Sequence, residues 1–265
     1  MLQSDTLILL EGKFVIGLLF FIRIFGLFAA APFFGNPKII PHVKIYLAFF
    51  LAVMLTSSFW KEQPAIDFHL WNLIGLAFKE FLTGLALGFS AHVVFWAANL
   101  AGGLIDFDMG YQAATMFDPQ NANPSLVGEF KNLVVLMIFL IIDGHHYLIQ
   151  GLFASVRAVP ITTFELTTSS VRLFTNMAAS VMIIGLKMAA PVIVSLFLTN
   201  LGLTLLARVA PQTNIFSLSF QAKIAVGLLV LLATMPLFIF VAKYSLASME
   251  NEIMKLLLSL NPGRV

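Results

Sequence analysis

The sequence predicts an all-α, polytopic membrane protein, and three observations lead there. Hydrophobic residues make up 60% of the chain and charged residues 11%, well outside the usage of ordinary soluble domains. Mean hydropathy reaches +0.96. About six apolar runs approach or exceed the ~20 residues that a membrane-spanning helix needs.

In chain order, the first run covers residues 14–34 and holds one charge, Arg23, near its middle. The connection GNPKIIP follows, where Pro37 and Pro41 exclude a continuous helix, and the second run covers 43–60. The third, 70–105, is too long for one upright span and contains Lys79, Glu80 and glycines at 84, 88, 102 and 103. It is expected to be strongly bent or to form two segments. Residues 126–142 make a short run that breaks at Asp143-Gly144-His145-His146, and a further apolar piece, 147–159, ends at Pro160. Residues 162–170 are rich in Thr and Ser and read as a loop between two units. Residues 171–209 are again overlong, with a kink expected at Pro191. A polar connection leads to the last run, 224–242, so these two runs are expected to form an antiparallel helical hairpin. In the tail, 243–265, apolar residues recur at helical spacing (Met249, Ile253, Leu256, Leu257, Leu260), which predicts an amphipathic helix lying on a membrane surface or a partner.

Composition narrows the function. A net charge of +2 offers no field for nucleic acid, and the absence of cysteine removes disulfides and thiolate chemistry. The 27 phenylalanines and 11 methionines suit lipid-facing and helix-packing surfaces. Asp5 and Glu11 precede the first run without a basic leader or a small-residue cleavage site, so the N-terminus is expected to be retained. Positive charge occurs in almost every connection, so the positive-inside rule assigns no orientation. That is the behaviour of a chain held in a multi-subunit assembly.

Arg23, Lys79, Glu80, Glu129, Lys131 and Lys187 interrupt apolar runs and must face protein or water. Pairing between helices accounts for them more simply than an ion path. Asp143, His145 and His146 are read as a polar break and not a metal site, because adjacent histidines are expected to point to different faces and i, i+4 spacing is the better zinc pattern. No nucleophile elbow, phosphate loop or zinc-protease motif occurs, so neither catalysis nor a cofactor is expected. Gly84 with Gly88, and Gly185 with Ala189, permit close helix approach, within the chain or between subunits.

The stretch of residues 102–124, GGLIDFDMGYQAATMFDPQNANP, fits neither helix nor loop cleanly. Irregular backbone at membrane depth persists only where protein buries it or it lines a cavity, so this stretch is the leading functional candidate.

Four segments in order carry a family likeness: RIFGLFAAAPFFGNPKIIPHVKIYLAFFLAVML, KEFLTGLALGFSAHVVFWAANLAGGLIDFDMGYQAATMFDP, GHHYLIQGLFASVRAVP and LARVAPQTNIFSLSFQAKIAVGL. They resemble the FliR family of flagellar export-gate proteins, and more loosely the SctT family of virulence secretion. The resemblance implies a non-enzymatic conduit for unfolded flagellar proteins in the bacterial inner membrane at the flagellar basal body. Its implied partners are FliP, FliQ and FlhB in a hetero-oligomer, together with exported flagellar substrates and membrane lipid. It implies tilted helical hairpins, a FliP-like region over 1–165 and a FliQ-like hairpin with the amphipathic tail over 166–265. Carried onto this chain, the family's pore plug is Met109, Gly110, Tyr111, Gln112, Ala113, Ala114, Thr115, Met116 and Phe117. Apolar and thioether side chains suit a seal that works by dewetting. The FliQ-like turn places Gln212, Asn214 and Lys223 at the cytoplasmic opening. The alternative reading, an ion-coupled small-molecule transporter, requires a substrate site between two related halves.

Overall fold

Apolar runs in this chain become helices because a helix satisfies every backbone polar group within its own segment. The computed structural model describes residues 2–35, 39–64, 66, 69–111, 125–212 and 214–261. Every regular element among the described residues is helical: α1 (Leu2–Ala30), α2 (Pro41–Phe59) with a 3₁₀ turn (Trp60–Glu62), α3 (Leu70–Met109), α4 (Leu126–Ile141), α5 (Gly144–Ala158), α6 (Thr168–Val209), α7 (Ile215–Ala233), α8 (Met235–Ala247) and α9 (Met249–Ser259). Among the described residues, four helical segments are long and apolar enough to cross a membrane: Glu11–Ala30, Pro41–Glu62, Leu70–Met109 and Thr168–Val209. A fifth candidate is the bent pair of α7 with α8 and α9.

Two expectations about helix continuity are corrected. The third run is one helix of 40 residues reaching Met109, neither two segments nor broken at its charges. Residues 102–109 are therefore helical. The run around Pro191 is one helix of 42 residues; proline is tolerated in apolar helices where neighbouring groups satisfy the freed backbone. A bend of 55° lies between α7 and α8. There Thr234 turns its hydroxyl back to the Val230 carbonyl at 2.8 Å, and Pro236, in the first turn of α8, cannot donate to the preceding turn.

The chain clusters into two compact units, the first of residues 1–92, 143–177 and 248–265, the second of residues 93–142 and 178–247. In the first, α1 and α3 approach closely. A Cβ at Gly84 would collide with the Arg23 carbonyl, and one at Gly88 would come within 2.7 Å of the Leu27 carbonyl. The small-residue spacing thus serves intrachain packing. At this crossing Arg23, fully buried, makes a two-pronged pair with the equally buried Glu80, at 2.5 and 3.0 Å. Its remaining donors reach the Ser155 hydroxyl at 3.1 Å and the Val159 carbonyl at 2.8 Å on α5 and its C-terminal residue. One guanidinium therefore ties three segments together.

The amphipathic tail is corrected as well. The apolar face of α9 packs onto α5, with Ile253, Leu256 and Leu257 buried and Gly151 leaving room for Ile253. This face is covered within the chain. The Thr/Ser-rich connection is non-helical through Thr167, while Thr168–Ser170 already belong to α6, and it is stitched to the end of α9: Glu165 N–H donates to the Leu260 carbonyl at 3.0 Å, the Thr167 hydroxyl to that of Ser259 at 3.0 Å, and the Asn261 amide to that of Ala158 at 2.8 Å. Thr167 and Ser170 exchange reciprocal side-chain to backbone bonds that start α6.

Removing one partner of a buried ion pair costs about 3–5 kcal/mol, while replacing both with apolar residues is often neutral. Arg23→Leu should therefore lower the thermal unfolding midpoint in detergent sharply, and Arg23→Leu with Glu80→Leu should recover most of it. An equal loss in both variants would show that the charge pairing is not what matters at this crossing.

Candidate functional site

The site is built at the C-terminal end of α3, within the second unit. Helical spacing there alternates inward and outward residues: Ile105, Asp106 and Met109 are buried while Phe107 is exposed. The helix stops because Gly110 adopts φ +79, which an L side chain resists. Gly110 N–H donates to the Phe107 carbonyl at 3.0 Å and Tyr111 N–H to that of Asp106 at 2.9 Å. This paired closure satisfies carbonyls that the ending helix leaves open.

Asp106 then reaches across to the start of α4. Its Oδ2 accepts from the Ser125 hydroxyl at 2.6 Å and from Val127 N–H at 3.2 Å. Ser125 Oγ in turn accepts Gly128 N–H at 2.8 Å and so caps α4. Immediately above, Gly102 and Gly128 allow α3 and α4 to touch, since a Cβ on Gly102 would collide with the Gly128 backbone. The chain therefore leaves α3 at Tyr111 and re-enters helix at Ser125 beside a carboxylate that binds both ends. Ser125 and Gly128 escaped the sequence reading. The signal was present: a Pro-Ser pair directly ahead of an apolar run marks a capped helix start.

The end of α3 also rests on α7. The Met109 side chain lies so close to Gly227 that a Cβ there would approach its sulfur to 2.9 Å, and Gly110 faces the Phe220 ring. In the same unit, buried Lys131 donates to the Met188 carbonyl at 3.1 Å and sits 4.6 Å from the centre of the Phe238 ring. Its charge is met by a carbonyl dipole and an aromatic face.

Of the expected plug residues, Met109, Gly110 and Tyr111 occupy this anchored helix end, and Gln112, Ala113, Ala114, Thr115, Met116 and Phe117 lie outside the described residues. Asn214 caps α7, accepting Ser217 N–H at 3.4 Å, and Gln212 is exposed beside it. Lys223 is half-buried more than two turns further along α7, so the turn pair and the lysine are separate features. At the α4–α5 break, the donor atoms of Asp143, His145 and His146 lie within 4.8 Å of one another. The two imidazoles are 4.2 Å apart, which corrects the expectation that adjacency separates them. The cause is local: Asp143 takes a left-handed conformation with φ 59 at the helix start, and His146 Nδ1 turns back to within 3.3 Å of its carboxylate.

Two substitutions test the clamp. Asp106→Ala leaves the Ser125 hydroxyl and Val127 N–H without their acceptor and should cost about 1–3 kcal/mol. Gly110→Ala forces a left-handed alanine and should cost roughly 1–2 kcal/mol, with Gly110→Asn milder. Both are read from unfolding midpoints in detergent; full stability in Asp106→Ala would mean that the clamp holds nothing.

Over residues 14–249 the chain matches the family described as bacterial export proteins, family 1. It is 36% identical over 247 residues to the flagellar biosynthetic protein FliR of Bacillus subtilis, covering 92% of this chain and 94% of that one. It is 32% identical to FliR of Escherichia coli, with 82% of each chain covered. It is 30% identical to the surface presentation of antigens protein SpaR of Shigella sonnei, covering 82% of this chain and 81% of the relative. A helical membrane architecture and a match across most of its length place this chain in bacterial export proteins family 1, the FliR/SctT family, whose members are type III export components and not enzymes.

Proposed function

We propose that this chain is a subunit of a flagellar type III export gate in the bacterial inner membrane, at the flagellar basal body. With FliP- and FliQ-type subunits, and beside FlhB, it forms the conduit through which unfolded flagellar proteins leave the cell. The supporting observation is the Asp106 clamp: both ends of the segment between Tyr111 and Ser125 are fixed at one point on rigid helices. A seal across a conduit needs that mounting, because its tip must yield to a substrate while its base stays in register. Met109 to Phe117 supply the seal, thioethers and aromatic rings excluding water from a closed pore. The turn at Gln212 and Asn214, with Lys223 beyond it, faces the cytoplasmic opening. Exposed apolar residues on α6, among them Phe197, Leu198 and Leu205, give partner subunits and lipid a broad surface. The flagellar use is favoured over virulence secretion by the higher identity to FliR of Bacillus subtilis, 36% against 30% for SpaR.

The transporter alternative requires a buried acid free to exchange protons or ions. The buried acids among the described residues are Glu80, closed by Arg23, and Asp106, engaged by Ser125 and Val127.

Expression of the tagged chain alone and with FliP- and FliQ-type subunits, followed by native mass measurement in mild detergent, should yield a discrete larger complex only on co-expression. A monomer or homodimer indifferent to those subunits would remove the gate reading. Deleting residues 110–115 should make the membrane leaky to small ions; a tight membrane in a correctly assembled complex would remove the plug. Lys223→Glu should impair export of flagellar proteins, and unchanged export would separate Lys223 from the opening.

A further inference from the structure

We propose that the first unit binds an anionic phospholipid, with an acyl chain in a groove between α1 and α2 and the phosphate on the basic, aromatic corner where α2 ends. The groove holds about 640 Å³ and is walled by Phe14, Leu18, Phe21, Phe49 and Val53. That falls within the ~300–1,000 Å³ of small-ligand sites. Phe14 is 74% and Phe49 62% exposed, so these rings stand open among the described residues. The groove's walls are mostly apolar. Gly17 opens it opposite Thr56, whose hydroxyl is already bonded to the Ala52 carbonyl at 2.7 Å.

One end of the groove carries charge. Lys13, itself part of the lining, holds its Nζ 4.2 Å from the centre of the Trp60 ring, and Lys61 Nζ is 5.7 Å from the same ring. Arg157 of α5 lies 5.1 Å from the neighbouring Phe59 ring, which is buried edge-on against Phe153. Three cations from three elements thus gather on two fixed aromatic rings. The acids nearest in sequence are Glu11 and Glu62, both exposed.

The corner also lies at the right depth. Lys13 is near the start of the span Glu11–Ala30, and Trp60 and Lys61 are near the end of the span Pro41–Glu62. Tryptophan and lysine at span ends are the pattern of a membrane–water interface. Hydrocarbon groove, interfacial aromatic and clustered cations together match a lipid with an anionic headgroup. A zwitterionic headgroup presents no net charge to the corner, and a soluble anion has no use for the groove.

The test mixes the full chain in mild detergent with phosphatidylglycerol or phosphatidylcholine and counts bound lipid by native mass spectrometry. Each interfacial cation adds about fivefold to anionic lipid binding, so phosphatidylglycerol should be retained roughly tenfold or more over phosphatidylcholine. Lys13→Gln with Lys61→Gln should cut that preference to the roughly fivefold that Arg157 alone would supply, and Val53→Trp, which fills the exposed groove, should reduce retention of both lipids. Unfolding midpoints close to the parent chain confirm that each variant is folded. Equal retention of the two lipids by the parent chain, or a preference untouched by the double substitution, would overturn the proposal. The chain has no native cysteine, so a photoreactive label on Val53→Cys can report the occupant in the membrane. Labelling of lipid supports the proposal, and labelling of a partner's helix in its place overturns it.

Discussion

A guanidinium without water must find all of its partners inside the fold, and Arg23 does so from three directions. Glu80 neutralises it through two parallel hydrogen bonds, and Ser155 and the Val159 carbonyl take the remaining donors. Losing Glu80 would strand the Arg23 charge in an apolar interior, a cost of several kcal/mol, and losing the Ser155 or Val159 acceptor would leave a buried N–H unsatisfied. The positions of α1, α3 and α5 are therefore specified together. Leucines could pack a similar crossing but would tolerate small slides of one helix along another; a two-pronged pair does not. The glycines around it reinforce the point, since α1 and α3 are close enough for Gly84 to face the Arg23 backbone directly.

The second unit uses a carboxylate differently. Asp106 is held by a hydroxyl and a backbone N–H from the start of another helix. Charge-assisted acceptance of this kind is directional, and it sets where α4 begins relative to where α3 stops. The same helix end is braced by Met109 on Gly227 and by Gly110 on Phe220. Rigid mounting is what the functional reading asks of this region.

Much of this was legible beforehand, and the failures have physical causes. Hydropathy and run length found the apolar helices, and glycine spacing at 84 and 88 marked a close crossing. Charges inside runs showed that pairing was needed, but Arg23 and Glu80 are 57 positions apart in sequence and the partner is set by topology. The long third run was expected to be strongly bent or divided because a bilayer would limit an upright helix; nothing in residues 70–109 breaks a helix, and it forms one segment and not two. Pro191 lies inside one continuous 42-residue helix, and a 55° bend falls at Thr234, just ahead of Pro236. Periodicity found the amphipathic tail correctly and named the wrong neighbour, since spacing shows that a face is apolar but not what will cover it.

That tail has a consequence for how the protein is made. The first unit is assembled from three separated stretches, and its last contribution, residues 248–265, follows the whole of the second unit in the chain. The face of α5 that α9 covers is synthesised about a hundred residues earlier and stays open until then, because local helix formation cannot bury it. At ribosomal elongation rates of ~5–20 residues per second, that interval lasts on the order of 5–20 seconds. Throughout it, an apolar strip waits in a nascent membrane protein, a window in which chaperones or neighbouring nascent subunits compete with α9 for the same surface.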